Sequence, residues 1–130
     1  MQFDPMTPIW SQVVDRIKEE IVAGTRPPGS RLPGGRDLAA ACSINPNTAA
    51  RVYRELEAAG ICDTKRGLGT FVTEDEERIR SLRREMAAAA AERFLSSMSA
   101  LGFGPEDAVA MISQKEESTH AGKQGSDEKI

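Results

Sequence analysis

The sequence predicts a mainly α-helical fold with one small β-hairpin, followed by a helical appendage. Three amphipathic helical segments lie between Pro8 and Gly60, two short runs flank a glycine-containing turn after Gly60, and an apolar seam continues beyond Val72. A chain of 130 residues can hold one small domain and an appendage. We therefore predict a first domain over residues 1–73, a helical appendage over 74–113 and a disordered polar tail over 114–130.

The first helix is predicted to begin at Pro8, with Thr7 as its N-cap, and to end near Ala23 before Gly24. Its apolar side chains recur every four residues, a spacing that gives one core face. They are Ile9, Val13, Ile17 and Ile21, with Trp10 and Val14 beside them. A Pro- and Gly-rich loop then leads to a second helix over 35–42, and this loop lacks the Gly-Lys-Ser/Thr ending of a nucleotide site.

The third helix is predicted to present two different faces. Asn45 is placed to cap it and Pro46 to occupy its first position. Ala49, Val52, Tyr53 and Leu56 share an apolar stripe, whereas Asn47, Arg51 and Arg54 project from the other side. Arg and Asn can bind base edges or phosphate in a major groove. A solvated surface with scattered charges is the alternative interpretation of this helix alone.

The run after the third helix is predicted to form a hairpin. Residues 61–65 and 70–73 flank Arg66-Gly67-Leu68-Gly69, in which glycine permits positive φ. Lys65 and Arg66 place positive charge at the tip, which suits contact with phosphate or a minor groove. An ordinary turn with solvated charges is the alternative, but the position directly after a candidate recognition helix favours a functional wing.

These segments resemble the winged helix-turn-helix of the GntR family of bacterial transcription regulators. Leu32-Pro33-Gly34-Gly35-Arg36-Asp37-Leu38-Ala39 carries part of the resemblance, which runs from about Pro8 to Val72. Asn45-Pro46-Asn47-Thr48 and Arg66-Gly67-Leu68-Gly69-Thr70-Phe71-Val72 are similar to the YtrA subfamily. Gly34 departs from the family's usual Ser, which predicts a weaker cap on the second helix.

The resemblance implies DNA contact by residues of the second helix, the third helix and the wing. Arg36 would lie near the DNA backbone at a helix N-terminus, although a surface salt bridge with Asp37 or Glu57 is its alternative role. The predicted DNA-binding residues are Arg36, Asn45, Asn47, Thr48, Arg51, Arg54, Lys65, Arg66, Gly67, Gly69 and Thr70. Asn45 is primarily structural in this prediction.

Charge and cysteine usage agree with a DNA-binding protein of the cytoplasm. The whole chain carries a net charge of -3, but residues 26–73 hold seven basic and four acidic side chains. Cys42 and Cys62 lack metal-site spacing and are predicted to be small core residues, with a redox pair as the alternative. No apolar run of about 18 residues and no signal peptide is present. We expect no metal and no cofactor.

The segment beyond Val72 is predicted to form a helical hairpin that makes a homodimer. Its apolar seam is Ile79, Leu82, Met86, Ala90, Phe94, Met98 and Leu101. Gly102 ends this helix, and Pro105 begins a shorter one that carries Val109 and Ile112. The resemblance implies that such an appendage forms the dimer, and packing of the seam on its own winged helix is the alternative.

The sequence therefore predicts a homodimeric, DNA-binding transcription regulator that represses an operon from an inverted-repeat operator. The resemblance implies that this operon encodes a transporter, and it leaves open a small-molecule effector. An enzyme is disfavoured because no catalytic constellation accompanies the single histidine, His120. The alternative is a winged-helix module that binds protein without DNA, which the Asn47, Arg51 and Arg54 face disfavours. The sequence leaves RNA binding open, although the stacking aromatic residues expected for single-strand recognition are missing.

Overall fold

The computed structural model describes the backbone of residues 1–128 and the side chains of residues 1–118. The elements follow in the order α1 (Ile9–Val22), α2 (Gly35–Cys42), α3 (Pro46–Ala58), β1 (Cys62–Lys65), β2 (Gly69–Val72), α4 (Glu76–Ala100) and α5 (Pro105–Glu128). The predicted fold class is confirmed. Over the described residues, none of the helices has an apolar stretch long enough to cross a membrane.

The core of the first compact unit, Met1–Glu85, is built from the faces of α1, α2 and α3 that the periodicity predicts. Val13, Val14, Ile17 and Ile21 are buried on α1, Leu38 and Ala39 on α2, and Ala49, Val52, Tyr53 and Leu56 on α3. Burying each large aliphatic side chain contributes about 1.5–3 kcal/mol. These three helices therefore form a rigid base for the polar face of α3.

The beginning of α1 differs from the prediction by one residue. Pro8, with an extended backbone, occupies the N-cap position, and no side chain caps the helix. Thr7 instead donates its hydroxyl to the carboxylate of Asp4, and the amide group of Gln12 donates to the carbonyl oxygens of Asp4 and Thr7. This local turn uses the polar groups of Thr7, so it does not cap α1. Ile9 is exposed rather than buried in the core.

The caps of α2 and α3 follow the prediction. Gly34 precedes α2 and offers no side-chain cap. Asn45 precedes α3, and its Oδ1 accepts a hydrogen bond from the backbone N–H of Asn47 at 2.7 Å. Pro46 occupies the first turn, where the missing N–H has no helical partner to lose. The turn between the two helices passes through Ser43, whose φ of 55° is left-handed.

The hairpin pairs Cys62 with Val72 and Lys65 with Gly69 in antiparallel register. Gly69 is therefore the first residue of β2, one position earlier than the predicted run. The loop before α2 adds a short third segment along β2. The N–H of Val72 donates to the carbonyl of Ser30 at 2.8 Å, and the N–H of Leu32 donates to the carbonyl of Thr70 at 2.8 Å. The sequence predicted only a loop there.

The first turns of α4 belong to the first compact unit. Asp75 accepts a hydrogen bond from the N–H of Arg78 and so caps α4. Ile79 and Leu82 are buried in this unit. This part of the seam therefore packs on its own winged helix, as the alternative interpretation held, and the unit extends to Glu85 rather than to the predicted boundary at 73.

Two arginines of α4 bind the ends of helices in the same unit. Arg78 donates from Nε to the carbonyl oxygen of Ala59 at 3.0 Å, and Arg83 donates from Nη2 to that of Val22 at 2.9 Å. These carbonyls lie at the C-terminal ends of α3 and α1, where helical partners are missing and positive charge is favourable. The two contacts hold the beginning of α4 against the domain.

The second compact unit, Met86–Ile130, contains the rest of α4 and α5. Gly102, with φ of +90°, ends the helical chain as predicted, and Asp107 accepts the N–H of Gly104 at the start of α5. Met98 and Ala108 are buried within this unit. Val109 and Ile112, in contrast, are exposed.

The described part of residues 114–130 differs from the disordered tail that the sequence predicted. The helix α5 continues from Pro105 to Glu128, and residues 129 and 130 lie outside the described residues. Residues 113–118 contain neither Pro nor Gly, and Gln, Lys and Glu are good helix formers. Polarity alone therefore did not distinguish a solvated helix from an unstructured segment. The side chain of His120 also lies outside the described side chains, which end at residue 118.

Candidate nucleic-acid interface

The exposed face of α3 carries the polar side chains that the sequence predicts. Asn47, Arg51 and Arg54 are exposed, while Val52 and Leu56 on the opposite face have no accessible surface. Thr48 is half-buried at the edge between these two faces. Because the core holds the buried face, the polar groups project from a fixed surface into solvent.

Arg51 is the residue of this face with the most defined surroundings. Its Cζ lies 4.2 Å from the centre of the Trp10 ring, a cation–π arrangement across α1 and α3. Its Nε lies 3.9 Å from Oε1 of Glu55, and both side chains are about half exposed. A surface pair at this distance is weak. Trp10, predicted to be a core residue, is half-buried and shares its ring with Arg51.

Arg36 and Arg54 are two further exposed cations near this face. Arg36 is exposed in the first turn of α2, and Arg54 is exposed on α3. Within residues 1–118, neither side chain forms an ion pair, so the salt bridge proposed as the alternative role of Arg36 is absent there. Both guanidinium groups can therefore bind phosphate.

The tip of the hairpin is a basic turn. The N–H of Leu68 donates to the carbonyl of Lys65 at 2.8 Å, and Gly67 within this turn has φ of +78°. Positive φ at the third position of a turn favours glycine. Lys65 and Arg66 are exposed, and Nζ of Lys65 lies 4.9 Å from the centre of the Phe71 ring. The turn thus presents two cations to solvent.

Arg31 is a cation of the wing that the sequence prediction did not name. It pairs with Phe71 of β2 in an isolated bridge and is exposed, whereas Leu32 beside it is 2% exposed. Its guanidinium lies against the backbone of Gly69. The alternation of Arg31 outside and Leu32 inside was the signal of a strand, but the neighbouring Pro and Gly residues hid it.

Thr70 serves the hairpin rather than a free surface. Its hydroxyl lies 3.1 Å from the hydroxyl of Thr64 on the facing strand, and Thr64 also donates to the carboxylate of Glu57 on α3. Asn45 likewise uses its side-chain oxygen as a helix cap. These two predicted contact residues are therefore engaged within the protein, where they hold α3 and the wing in shape.

Two buried groups behind the interface have raised pKa values. Tyr53 donates its hydroxyl to the carbonyl oxygen of Pro33, so that α3 is bonded to the loop before α2. Burial raises the pKa of Tyr53 to about 12, against a smaller opposing effect of Arg26. Burial likewise raises the pKa of the Cys62 thiol to about 12, and the carboxylates of Glu57 and Asp63 add to the increase.

The two cysteines differ in burial. Cys62 is buried as predicted, whereas Cys42 is only half-buried, and both are free thiols.

A polar helix face, held by a three-helix core and followed directly by a basic hairpin, is the arrangement of a winged helix-turn-helix. The fold and this surface define a DNA-binding protein.

Comparison with known proteins identifies the family. Residues 10–72 match the model for bacterial regulatory proteins of the gntR family. The chain is 37% identical to the HTH-type transcriptional regulator YhcF of Bacillus subtilis, over 85% of this chain and 92% of that protein. It is 43% identical to the HTH-type transcriptional repressor YtrA of the same organism, over 58% of this chain and 59% of that one.

A solved structure agrees over nearly its whole length. The GntR family transcriptional regulator from Listeria monocytogenes is 41% identical, with a TM-score of 0.79 over 86% of this chain and 98% of that chain. The DNA-binding domain of AraR, solved in complex with operator ORX1, matches 56% of this chain and 93% of its own, at 25% identity and a TM-score of 0.53. The protein thus belongs to the GntR family of DNA-binding transcription regulators.

Proposed function

We propose that the protein is a homodimeric repressor that binds an inverted-repeat operator, one half-site per subunit. The observation that carries this proposal is the exposed Asn47, Arg51 and Arg54 face of α3, set on a buried stripe and followed by a basic wing. The side chains of Asn and Arg match the hydrogen-bonding edges of adenine and guanine.

The docking follows from the geometry of the family. Each α3 would lie in a major groove, with two such helices about 34 Å apart on one face of the duplex. Arg36 at the start of α2 would bind the backbone, where the helix N-terminus also favours phosphate. Lys65 and Arg66, with Gly67, Gly69 and Thr70 shaping the hairpin, would reach the flanking backbone. The target is DNA of the cytoplasm.

Dimerisation through the part of residues 74–113 that lies beyond Glu85 is supported by the apolar side chains of the second unit. Among the side chains of this unit that the structure describes, up to residue 118, seven large ones are exposed in the single chain: Phe94, Leu95, Leu101, Phe103, Val109, Met111 and Ile112. Such a concentration between residues 94 and 112 is typical of an interaction surface. A second copy of the same surface would cover it, and the resulting two-fold axis would match an inverted repeat.

Repression is supported by the similarity to YtrA, which is a transcriptional repressor. A protein that occupies two successive major grooves can block access to a promoter without any catalytic step. The choice of a transporter operon as target follows from the resemblance to YtrA-like regulators. A small-molecule effector would then control release, by favouring a dimer geometry in which the two α3 helices no longer fit the half-sites.

Sedimentation of the full chain, alone and with duplex from upstream of its own gene, tests this proposal. We expect a dimer that binds one duplex. Val109→Glu should shift the protein toward monomer and weaken binding, because it places charge in the predicted interface. Met6→Glu changes a more exposed side chain outside residues 74–113 and should have no effect. A wild-type monomer bound singly to the duplex would overturn the homodimer.

A further inference from the structure

The indole ring of Trp10 is a platform for the guanidinium group of Arg51. Trp10 is the only tryptophan, lies in the first turn of α1 and is half-buried. The Cζ of Arg51 lies 4.2 Å from the ring centre. The ring belongs to one helix and the cation to another, so the contact depends on how α1 and α3 pack.

Stacking leaves the hydrogen-bonding groups of Arg51 available. The N–H groups of a guanidinium point outward in its plane, so a guanidinium that lies flat over a ring keeps them available for hydrogen bonds. The carboxylate of Glu55, at 3.9 Å from Nε, is beyond hydrogen-bond distance and does not take these donors. Arg51 can therefore rest on Trp10 and bind a base edge with the same geometry.

The remainder of α1 shows that Trp10 is not simply a core residue. Val13, Ile17 and Ile21 form the buried stripe and are at most 3% exposed. Trp10 stands at the edge of that stripe, with part of its ring open to solvent and part covered by Arg51. At this position Trp10 exposes more apolar surface to water than a smaller residue would, which is unfavourable. The contact that it gains in return is the one with Arg51.

We propose that Trp10 is a positioning residue for operator recognition, which holds the Arg51 guanidinium in the orientation that reads the DNA. This inference rests on the proposed role of Arg51 in base recognition. A free arginine loses most of its side-chain rotamers when it binds a base, and a stacked one has already lost part of them. Removing the aromatic face should therefore reduce discrimination about two- to fivefold.

The contact itself can be tested without DNA. Arg51→Ala leaves the indole in place, and the fluorescence of the single tryptophan should change in intensity and maximum in the free protein. Arg54→Ala, one helical turn away on the same exposed face, is the matched control and should leave the emission unchanged. Unchanged emission in Arg51→Ala would overturn the contact, whether or not any Trp10 variant folds.

The role in recognition is tested by the ratio of affinities for upstream and random duplex. Trp10→Leu should lower this ratio about two- to fivefold, and Trp10→Phe, which keeps an aromatic face, should restore most of it. In an Arg51→Ala background, Trp10→Leu should have no further effect on the ratio. Thermal unfolding of each variant shows whether a change in this ratio comes with a loss of stability.

The outcomes separate this inference from the function on which it rests. If Arg51→Ala lowers the ratio and Trp10→Leu does not, Arg51 reads DNA without Trp10 and the inference is overturned. If Trp10→Leu lowers the ratio equally with and without Arg51, Trp10 acts through the fold, which also overturns it. If Arg51→Ala leaves the ratio unchanged, Arg51 does not read bases, and the proposed function and the inference that rests on it are both overturned.

Discussion

The guanidinium group of Arg31 lies directly against Gly69, at the first position of β2. A methyl group on the Cα of Gly69 would lie 2.9 Å from Nε of Arg31 and 3.3 Å from its Nη2. Gly69 also has φ of +122°, a backbone conformation that other residues rarely adopt. Glycine at this position therefore permits both the turn of the wing and the approach of a cation to it.

Gly69→Ala should lower the free energy of unfolding by about 1–3 kcal/mol, mainly because φ is strained, with a smaller part from displacing the flexible Arg31 side chain. Urea unfolding measures this loss. In an Arg31→Ala background the loss should be smaller, since only the φ strain remains. Gly67→Ala is the matched control, because Gly67 has φ of +78° but open space around it. An equal loss with and without the Arg31 side chain would contradict the contact.

Asn45 and Asn47 should separate stability from DNA binding. Asn45→Ala removes the side-chain cap of α3 and should cost about 1 kcal/mol in the free energy of unfolding, whereas Asn45→Asp should retain the cap. Asn47→Ala should leave stability within about 0.5 kcal/mol, since the side chain is exposed, and should weaken operator binding. A loss of stability in Asn47→Ala that matched Asn45→Ala would contradict these assignments.

Stability should decrease at alkaline pH because two buried groups resist ionisation. The pKa of Cys62 is raised from 9.0 to about 12, and that of Tyr53 from 10.0 to about 12. In the unfolded chain these groups lose their protons at lower pH, so their contribution is complete below about pH 9 and is lost as pH rises toward 12. Thermal unfolding between pH 7.5 and 10 measures this change.

The cysteine contribution can be isolated by substitution. Cys62→Ala should be less stable than the wild type at pH 7.5, because it leaves a small cavity, and its melting temperature should fall less between pH 7.5 and 10. The remaining fall belongs to Tyr53 and to other groups common to both proteins. An identical fall in the two proteins would show that the Cys62 thiol does not resist ionisation.

Lys65→Ala should reduce the salt dependence of DNA binding without changing sequence preference. The ammonium group is exposed beside Phe71, and one phosphate contact corresponds to a slope change of about one in a plot of log affinity against log salt. Arg16→Ala, an exposed cation of α1 outside both the predicted DNA-binding residues and residues 74–113, is the control. An unchanged slope in Lys65→Ala would remove the wing tip from the phosphate contacts.

The core of the first unit was predictable because it depends on local periodicity. The stripes of α1 and α3 recur at helical spacing, and the Asn45-Pro46 pair is a helix-start signal of known chemistry. The basic turn at Arg66 and Gly67 was predictable for the same reason. Each of these features is specified within one element, so no knowledge of its neighbours is needed.

Contacts between distant elements were not predictable in this way. Arg51 meets Trp10 because two helices pack at a particular angle, and Arg31 reaches Gly69 because a loop extends the hairpin by one strand. Arg78 and Arg83 are typical surface residues in the sequence, yet they bind helix ends and extend the first unit to Glu85. The end of α5 was missed because polar composition suits both a solvated helix and a tail.

The central claim is that the exposed face of α3 reads sequence in DNA. The most direct test is the affinity of wild type and Arg51→Ala for upstream duplex and for random duplex of equal length at physiological salt. We predict that wild type binds the upstream duplex at least about a thousandfold more tightly, and that Arg51→Ala loses about 1–3 kcal/mol of this discrimination. Equal binding of the two duplexes by wild type, or full discrimination by Arg51→Ala, would contradict the claim.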